Sequence, residues 1–173
     1  MKTLLIIAGI LALVSTNVAA EKLTVTIHLV SAEGVGKQIG TIVAEDTKYG
    51  LLLTPNLSGA PAGVHGFHMH EHPSCAPGEK DGKMTAAHTA GAHYDPAKAG
   101  KHLGPYAEGH LGDLPALTVG SDGKGTVPVL APRLKTSDLK GRTLMIHAGG
   151  DNYSDQPEPL GGGAGRIACG AIK

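Results

Sequence analysis

Histidine is concentrated in short, glycine-flanked blocks of this chain. Gly66-Phe67-His68-Met69-His70 opens the series, followed by Gly91-Ala92-His93-Tyr94-Asp95-Pro96 and Lys101-His102-Leu103-Gly104-Pro105. His110-Leu111-Gly112-Asp113 and Ile146-His147-Ala148-Gly149-Gly150-Asp151 complete it. Imidazole and carboxylate are ligands for borderline metals, and no other chemistry explains so many imidazoles set among glycines. Six of the ten histidines find places in one two-metal site, which points to redox metal chemistry rather than to a single structural zinc.

His68 and His70 are two apart in a segment that reads as a strand, so both side chains leave one face while Phe67 and Met69 point into the core. His147 closes another strand and returns beside them, and three or four histidine nitrogens suit copper. His93, His102, His110 and Asp113 offer three imidazoles and a carboxylate, a set that suits tetrahedral zinc. Only Leu111-Gly112 separates His110 from Asp113, so both reach one ion. His65 shares the parity of Phe67 and Met69 and reads as a structural histidine. His72 precedes Pro73, where the strand should end, His88 lacks a partner pattern, and His28 sits on the polar face of a strand.

The elements that must position these residues are short. Leu23–Val30 alternates strictly between apolar and polar residues, the mark of a half-buried strand. Further strands are expected at 38–44, 50–54, 64–70, 116–119, 126–131, 143–147 and 166–172. Turn signals lie between them at Asp122-Gly123, Pro61-Ala62-Gly63 and Asn56. Eight short strands without amphipathic helical patterns predict an all-β antiparallel sandwich or barrel. From Glu71 to Leu114 no strand is expected. A loop that long is usually functional or disordered, and the ligands it carries favour function. A second irregular stretch, 148–165, holds Asp151 and the Gly161-Gly162-Gly163 run, which lacks the strand–helix context of a dinucleotide loop.

Lys2, the apolar run Leu4–Val14 and the small residues Val18-Ala19-Ala20 read as a secretory leader cleaved after Ala20, leaving one domain over 21–173. The apolar run is too short to span a membrane. Removing the leader takes away Lys2 alone, so fourteen basic residues face 15 acidic ones. That near-neutral balance argues against a dedicated nucleic-acid binder. With no tryptophan and one phenylalanine, the core must be built from Val, Ile, Leu and Ala; 26 glycines and 11 prolines suit many tight turns. In an exported chain Cys75 and Cys169 read as a disulfide; metal ligation is the poorer alternative, given their separation and the surplus of histidine.

Taken together, these blocks, with Gly163-Ala164-Gly165-Arg166-Ile167-Ala168-Cys169-Gly170, resemble copper–zinc superoxide dismutase over nearly all of the chain after the leader. Leu103-Gly104-Pro105-Tyr106 and Asp151-Asn152-Tyr153-Ser154-Asp155 are most similar to its periplasmic bacterial branch. The resemblance implies an eight-stranded Greek-key barrel or sandwich with two long functional loops, a fold known for this family. It implies one copper ion per subunit, on His68, His70, His93 and His147. It implies one zinc ion, on His93, His102, His110 and Asp113, with His93 bridging the metals as imidazolate. Asp151 would link His68 to His102, Arg166 would stand over the open copper position, and Cys75–Cys169 would tie the metal loop to the Arg166 strand. The implied reaction is dismutation of superoxide to dioxygen and hydrogen peroxide by alternate reduction and reoxidation of copper, with His93 and Arg166 as the catalytic side chains.

The resemblance further implies a periplasmic antioxidant enzyme of a Gram-negative bacterium, with no nucleic-acid partner and no stable membrane association. His72 stands where eukaryotic members pack an aromatic at their dimer contact, so a monomer or a homodimer of non-eukaryotic type is expected. The Lys/Glu-rich guiding loop of eukaryotic members is absent, and any steering by lysine falls to Lys80 or Lys83. A non-catalytic metal buffer or metallochaperone would be expected to lose a copper ligand or the arginine. A zinc hydrolase would need an open zinc position. Neither fits the residues present.

Overall fold

The computed structural model describes residues 22–173; the leader expected at residues 1–20 lies outside the described residues. Twelve strands follow in order. They are β1 Lys22–Ser31, β2 Gly34–Thr47, β3 Gly50–Ser58, β4 Gly63–His65, β5 Phe67–His70, β6 Gly78–Lys80, β7 Lys83–Thr85, β8 Leu117–Val119, β9 Lys124–Gly125, β10 Val129–Ala131, β11 Arg142–His147 and β12 Arg166–Ile172. The principal sheet runs β10-β3-β2-β1-β12-β11-β5, with β9 also paired to β3. Every pairing in it is antiparallel. The first strand lies beside the last and β5 beside β11, so long connections cross the barrel end in Greek-key order.

Short strands close the curl. β4 runs into β5 through Gly66 and pairs with β8, β8 turns back into β9 at Gly120–Gly123, and β9 pairs with β3. The alternation in β1 buries Val25 and Ile27, which meet Ile42, Leu53, Phe67 and Leu144 in one apolar cluster. Each fully buried side chain of this kind contributes about 1.5–3 kcal/mol. That is large beside a typical domain stability of about 5–15 kcal/mol, which is why one phenylalanine and many aliphatic residues suffice. Among the described residues no helix is long and apolar enough to cross a membrane.

Several local expectations need correction. The segment 64–70 is two strands rather than one, broken at Gly66, whose carbonyl accepts from His147 N and whose amide donates to Gly149 O. Asn56 is no turn: it pairs with Thr41 inside β3, because β2 is long enough to hold the strand straight past Pro55. The expected strand 126–131 shrinks to 129–131. The stretch from Glu71 to Leu114 is not strandless, since Gly78–Lys80 and Lys83–Thr85 form a hairpin turning at Asp81-Gly82. His88–Ala90 adds one turn of 3-10 helix.

The disulfide joins Cys75 to Cys169 with Cα atoms 5.8 Å apart and a sequence separation of 94. It pins the loop after β5 to β12, over a small cluster of Ala87, Ala90 and Met145. Thr143 reinforces the same joint: its hydroxyl donates to His72 O at 2.7 Å and accepts from Ser74 N at 3.1 Å. In the chain-entropy account a closed loop of this size stabilises by about 4–5 kcal/mol at most. Reduction should therefore lower the urea midpoint markedly, and metal retention with it, because His93 lies in the pinned loop. An unchanged midpoint in reductant would contradict this.

Candidate metal centre

β5 supplies the rigid ledge of the site. The backbone of His68 bridges to Asp113 and that of His70 to His93, so residues 92–94 and 112–114 line up along this strand although neither belongs to a long one. Met69 N donates to Gly112 O, Tyr94 N to Met69 O and Gly112 N to Tyr94 O, each at 2.8 Å. A side chain at position 112 would meet Met69 O at 2.2 Å, so only glycine permits this approach. His147, at the end of β11, arrives beside His68 because Met145 and Ile146 pair with His68 and Phe67. One long loop and two strands thus deliver every expected ligand to one place. His68, His70, His93 and His147 offer nitrogen atoms within 4.8 Å of one another, and so do the ligand atoms of His93, His102, His110 and Asp113. All of these residues are buried.

The hydrogen bonds fix which ring nitrogens are bare. His68 Nε2 donates to Asp151 Oδ2 at 2.7 Å, His70 Nδ1 to Gly91 O at 2.9 Å and His147 Nδ1 to Ala164 O at 3.2 Å. Among the described residues, their other nitrogens, His68 Nδ1, His70 Nε2 and His147 Nε2, are buried without a hydrogen-bond partner. An unpaired buried polar atom is costly, and the three on His68, His70 and His147, gathered with His93, call for a shared cation. The second group has the same logic. One oxygen, Asp113 Oδ1, lies 3.0 Å from His93 Nδ1, 3.0 Å from His102 Nδ1 and 3.3 Å from His110 Nδ1. A tetrahedron with metal–ligand bonds of about 2.0 Å has edges of roughly 3.3 Å, so these spacings fit a zinc-sized ion. His93 belongs to both groups: its Nδ1 faces Asp113, leaving Nε2 for the other.

Asp151 ties the groups together. Its Oδ1 accepts from His102 Nε2 at 2.8 Å and from Tyr153 N at 2.8 Å, while Oδ2 takes His68. Gly161 makes room for it, since a side chain there would meet Asp151 Oδ1 at 2.1 Å. The Gly161-Gly162-Gly163 run thus has a use that composition could not supply.

Electrostatics follow burial first. Burial pushes His93 down to about 4 and His147 to about 3, and lowers His68 despite the opposing pull of Asp151. Burial also drives His70 well below the ordinary histidine value, with His93 and Arg166 adding to the effect. His102 goes the other way: burial opposes it, but Asp113 and Asp151 together raise it to about 9. Both aspartates resist burial and stay below the usual carboxylate range, chiefly through the hydrogen bond from His102.

Arg166 owes its place to a slip in strand register. Simple alternation would set it on the opposite face from Cys169, but the β11–β12 register shifts between Ile146 and His147, so that Ile146 pairs with Ala168 and His147 with Arg166. The extra residue turns Arg166 toward the segment that packs on Cys169. There Nη1 donates to Ala87 O and Nη2 to Gly91 O, both at 2.6 Å. Gly91 O is also the acceptor for His70, which places the guanidinium beside one imidazole of the first group.

His65 is buried, with ring nitrogens 2.8 Å from His147 O and 2.9 Å from Pro61 O, in keeping with a structural part. His28, His72 and His88 belong to neither group. Lys80 and Lys83 lie exposed on the β6–β7 hairpin. Sequence reasoning missed Asp155, whose carboxylate accepts from His102 N at 2.9 Å and from Leu160 N at 3.1 Å, joining the two loops. Its only signal was an acidic residue four positions after Asp151.

The comparisons follow the same lines. The family described as Copper/zinc superoxide dismutase (SODC) matches residues 38–172. Superoxide dismutase [Cu-Zn] 2 of Salmonella typhimurium is 55% identical over 95% of this chain and 94% of its own length. The Escherichia coli enzyme is 54% identical over 95% and 96%. Among solved structures, Cu/Zn superoxide dismutase from Brucella abortus superposes with a TM-score of 0.86 at 52% identity, over 88% of this chain and all of that one. The monomeric copper, zinc superoxide dismutase from Salmonella enterica gives 0.79 at 56% identity, with the same shares covered. A buried pair of four-ligand groups sharing one histidine, on a barrel of this topology, and matches of this extent leave one assignment: the chain belongs to the copper/zinc superoxide dismutase family.

Proposed function

We propose that His68, His70, His93 and His147 hold copper and that His93, His102, His110 and Asp113 hold zinc, with the His93 imidazole between them. The activity of the family is dismutation of superoxide to dioxygen and hydrogen peroxide, with one copper and one zinc ion per subunit. The observation that carries the residue assignment is a pair of clusters: the bare buried nitrogens of His68, His70 and His147, and the three imidazole nitrogens gathered on Asp113 Oδ1. When bound, copper supplies alternate one-electron reduction and reoxidation, while zinc has no redox chemistry of its own.

The chain's own residues do the rest. Asp151 holds the tautomers of His68 and His102 by accepting from both Nε2 atoms, which keeps both Nδ1 lone pairs directed inward. His93, held through Nδ1 against Asp113, keeps Nε2 as the atom that holds a proton when it is not otherwise engaged. In the metal-free chain burial, with smaller contributions from His68 and His102, makes that imidazole a weak base. Arg166 presents a permanent, half-buried cation beside His70 and His147, where a small anion docks. Superoxide dismutase is itself a known instance of electrostatic steering and of a diffusion-limited enzyme.

The same reading extends to the cell and the assembly. Residues 1–20 are a secretory leader, residues 21–173 the enzyme, and the periplasm of a Gram-negative bacterium its compartment. Relatives from Salmonella and Escherichia coli support this placement. The protein works as a monomer or as a homodimer of non-eukaryotic type. The solved Salmonella enterica relative is monomeric, and His72 is exposed in this chain.

Asp151→Ala should weaken both metals together, by about 10–100-fold in affinity or activity. Metal titration with copper and zinc measured separately checks this, and native affinity for both would refute the role given to Asp151. In the metal-free protein, His93 and His147 fold as neutral imidazoles with values near 4 and 3 against an ordinary 6.5. The unfolded chain therefore takes up protons first, so stability present above pH 6.5 is lost as pH falls toward 3. His102 has the opposite sign: its contribution is complete below pH 6.5 and is lost as pH rises through about 9. Thermal midpoints of the metal-free protein across this range should fall on both sides, and a flat acid limb would contradict the burial argument. Arg166→Ala should keep the fold and both metals yet lose activity by roughly 10-fold or more, with weaker dependence on ionic strength. Arg166→Lys should retain more, since the charge survives and the planar fork does not. Wild-type turnover and unchanged salt dependence in the alanine variant would reduce Arg166 to a surface cation.

A further inference from the structure

Arg133, just after β10, has no role in the reading above, and the sequence gives it no motif. Its guanidinium is aimed at a ring of carbonyl oxygens rather than at a carboxylate. Nε donates to Pro105 O at 3.2 Å, Nη1 to Gly109 O at 3.2 Å, and Nη2 to His110 O, with Gly104 O 3.5 Å away. All four acceptors lie in the segment from Gly104 to His110. His102 and His110 flank that segment, and His110 N donates to Lys101 O at 2.9 Å, so the chain leaves His102 and returns at His110 as a closed loop. No strand or helix satisfies the loop's carbonyls from within. A side chain at Gly109 would meet Lys101 O at 2.6 Å and Leu103 N at 2.8 Å, so the loop folds tightly back on its own stem.

Five N–H donors in a rigid planar fork suit such a cluster, whereas an ammonium group is a flexible point donor. Among the described residues no carboxylate pairs with Arg133, so the carbonyl dipoles alone hold the charge. That arrangement fixes the path of the backbone between two ligands of one group, and one acceptor is the carbonyl of a ligand residue itself.

We propose that Arg133 is a positioning residue for the zinc site: its guanidinium fills the loop between His102 and His110 and holds their Nδ1 atoms at the spacing the ion needs. The proposal rests on the assignment of His93, His102, His110 and Asp113 to zinc. It separates the two metals, because Arg133 touches only the loop that carries zinc ligands, whereas Asp151 touches a ligand of each group.

The experiment compares wild-type protein with Arg133→Met and Arg133→Lys. Zinc affinity is measured by chelator competition, the Co(II) spectrum of the same site records its geometry, and amide exchange is followed residue by residue. Arg133→Met should bind zinc about 10–100-fold more weakly, with an altered cobalt spectrum and faster exchange confined to residues 103–110. Copper affinity should change much less. Arg133→Lys should recover part of the zinc affinity and part of the spectrum. Wild-type zinc affinity and spectrum in the methionine variant overturn the proposal, as does faster exchange spread evenly through the barrel, which makes Arg133 a general stability residue. Wild-type protein that binds no zinc overturns the zinc assignment and this proposal together.

Discussion

Nitrogen lone pairs buried face to face lose their water, gain no hydrogen bond and repel one another. Six imidazoles and a carboxylate stand in that relation at the barrel wall, a liability that a pair of cations would convert into bonds. Much of the molecule outside the apolar core serves this one constraint. The outward-facing nitrogen of His68, His70, His102 and His147 is tied to a named acceptor, so that the inward one stays bare. Loss of such a tie frees a ring to change tautomer, and a buried N–H would then point where a lone pair is needed.

The barrel and the loops divide the work by stiffness. β5 and β11 are paired strands whose residues are nearly all buried, so His68, His70 and His147 hold their places through the core. The remaining ligands ride on loops that have little apolar packing of their own. Those loops are held by individual polar contacts: the disulfide at Cys75, the bridges from residues 92–94 and 112–114 to β5, and Asp155 across the two loops. Loops held at a few points can carry ligands, and bound ions would add to the energy that orders them. The coupling between disulfide, metal and stability follows from that division.

Gly91 O joins Arg166 to the first histidine group. It accepts from His70 Nδ1 and from Arg166 Nη2, so one backbone carbonyl sets the distance between an imidazole and the guanidinium beside it. Arg166 is thereby fixed by backbone on two sides rather than by a carboxylate, which leaves its charge uncompensated for an incoming anion. A salt-bridged arginine at the same place would be equally ordered and much less attractive to superoxide.

The residues that meet at the site were legible in the sequence because their spacing is local. His-x-His on a strand, His110 and Asp113 three apart, and an exported chain with two cysteines all follow from rules that reach only a few residues. The all-β class was legible for the same reason, since alternation in β1 is a property of consecutive positions. What tertiary structure decided depends on partners far away. Asn56 became strand because β2 extends beside it, and Arg166 swung to the side of Cys169 because its pairing with β11 slips by one residue. Gly161 and Arg133 acquired their roles only when loops from distant parts of the chain brought Asp151 and a ring of carbonyls against them. A side chain's periodicity is written in its neighbours, whereas register slips and the sharing of backbone acceptors are fixed only when non-local strands and loops have closed.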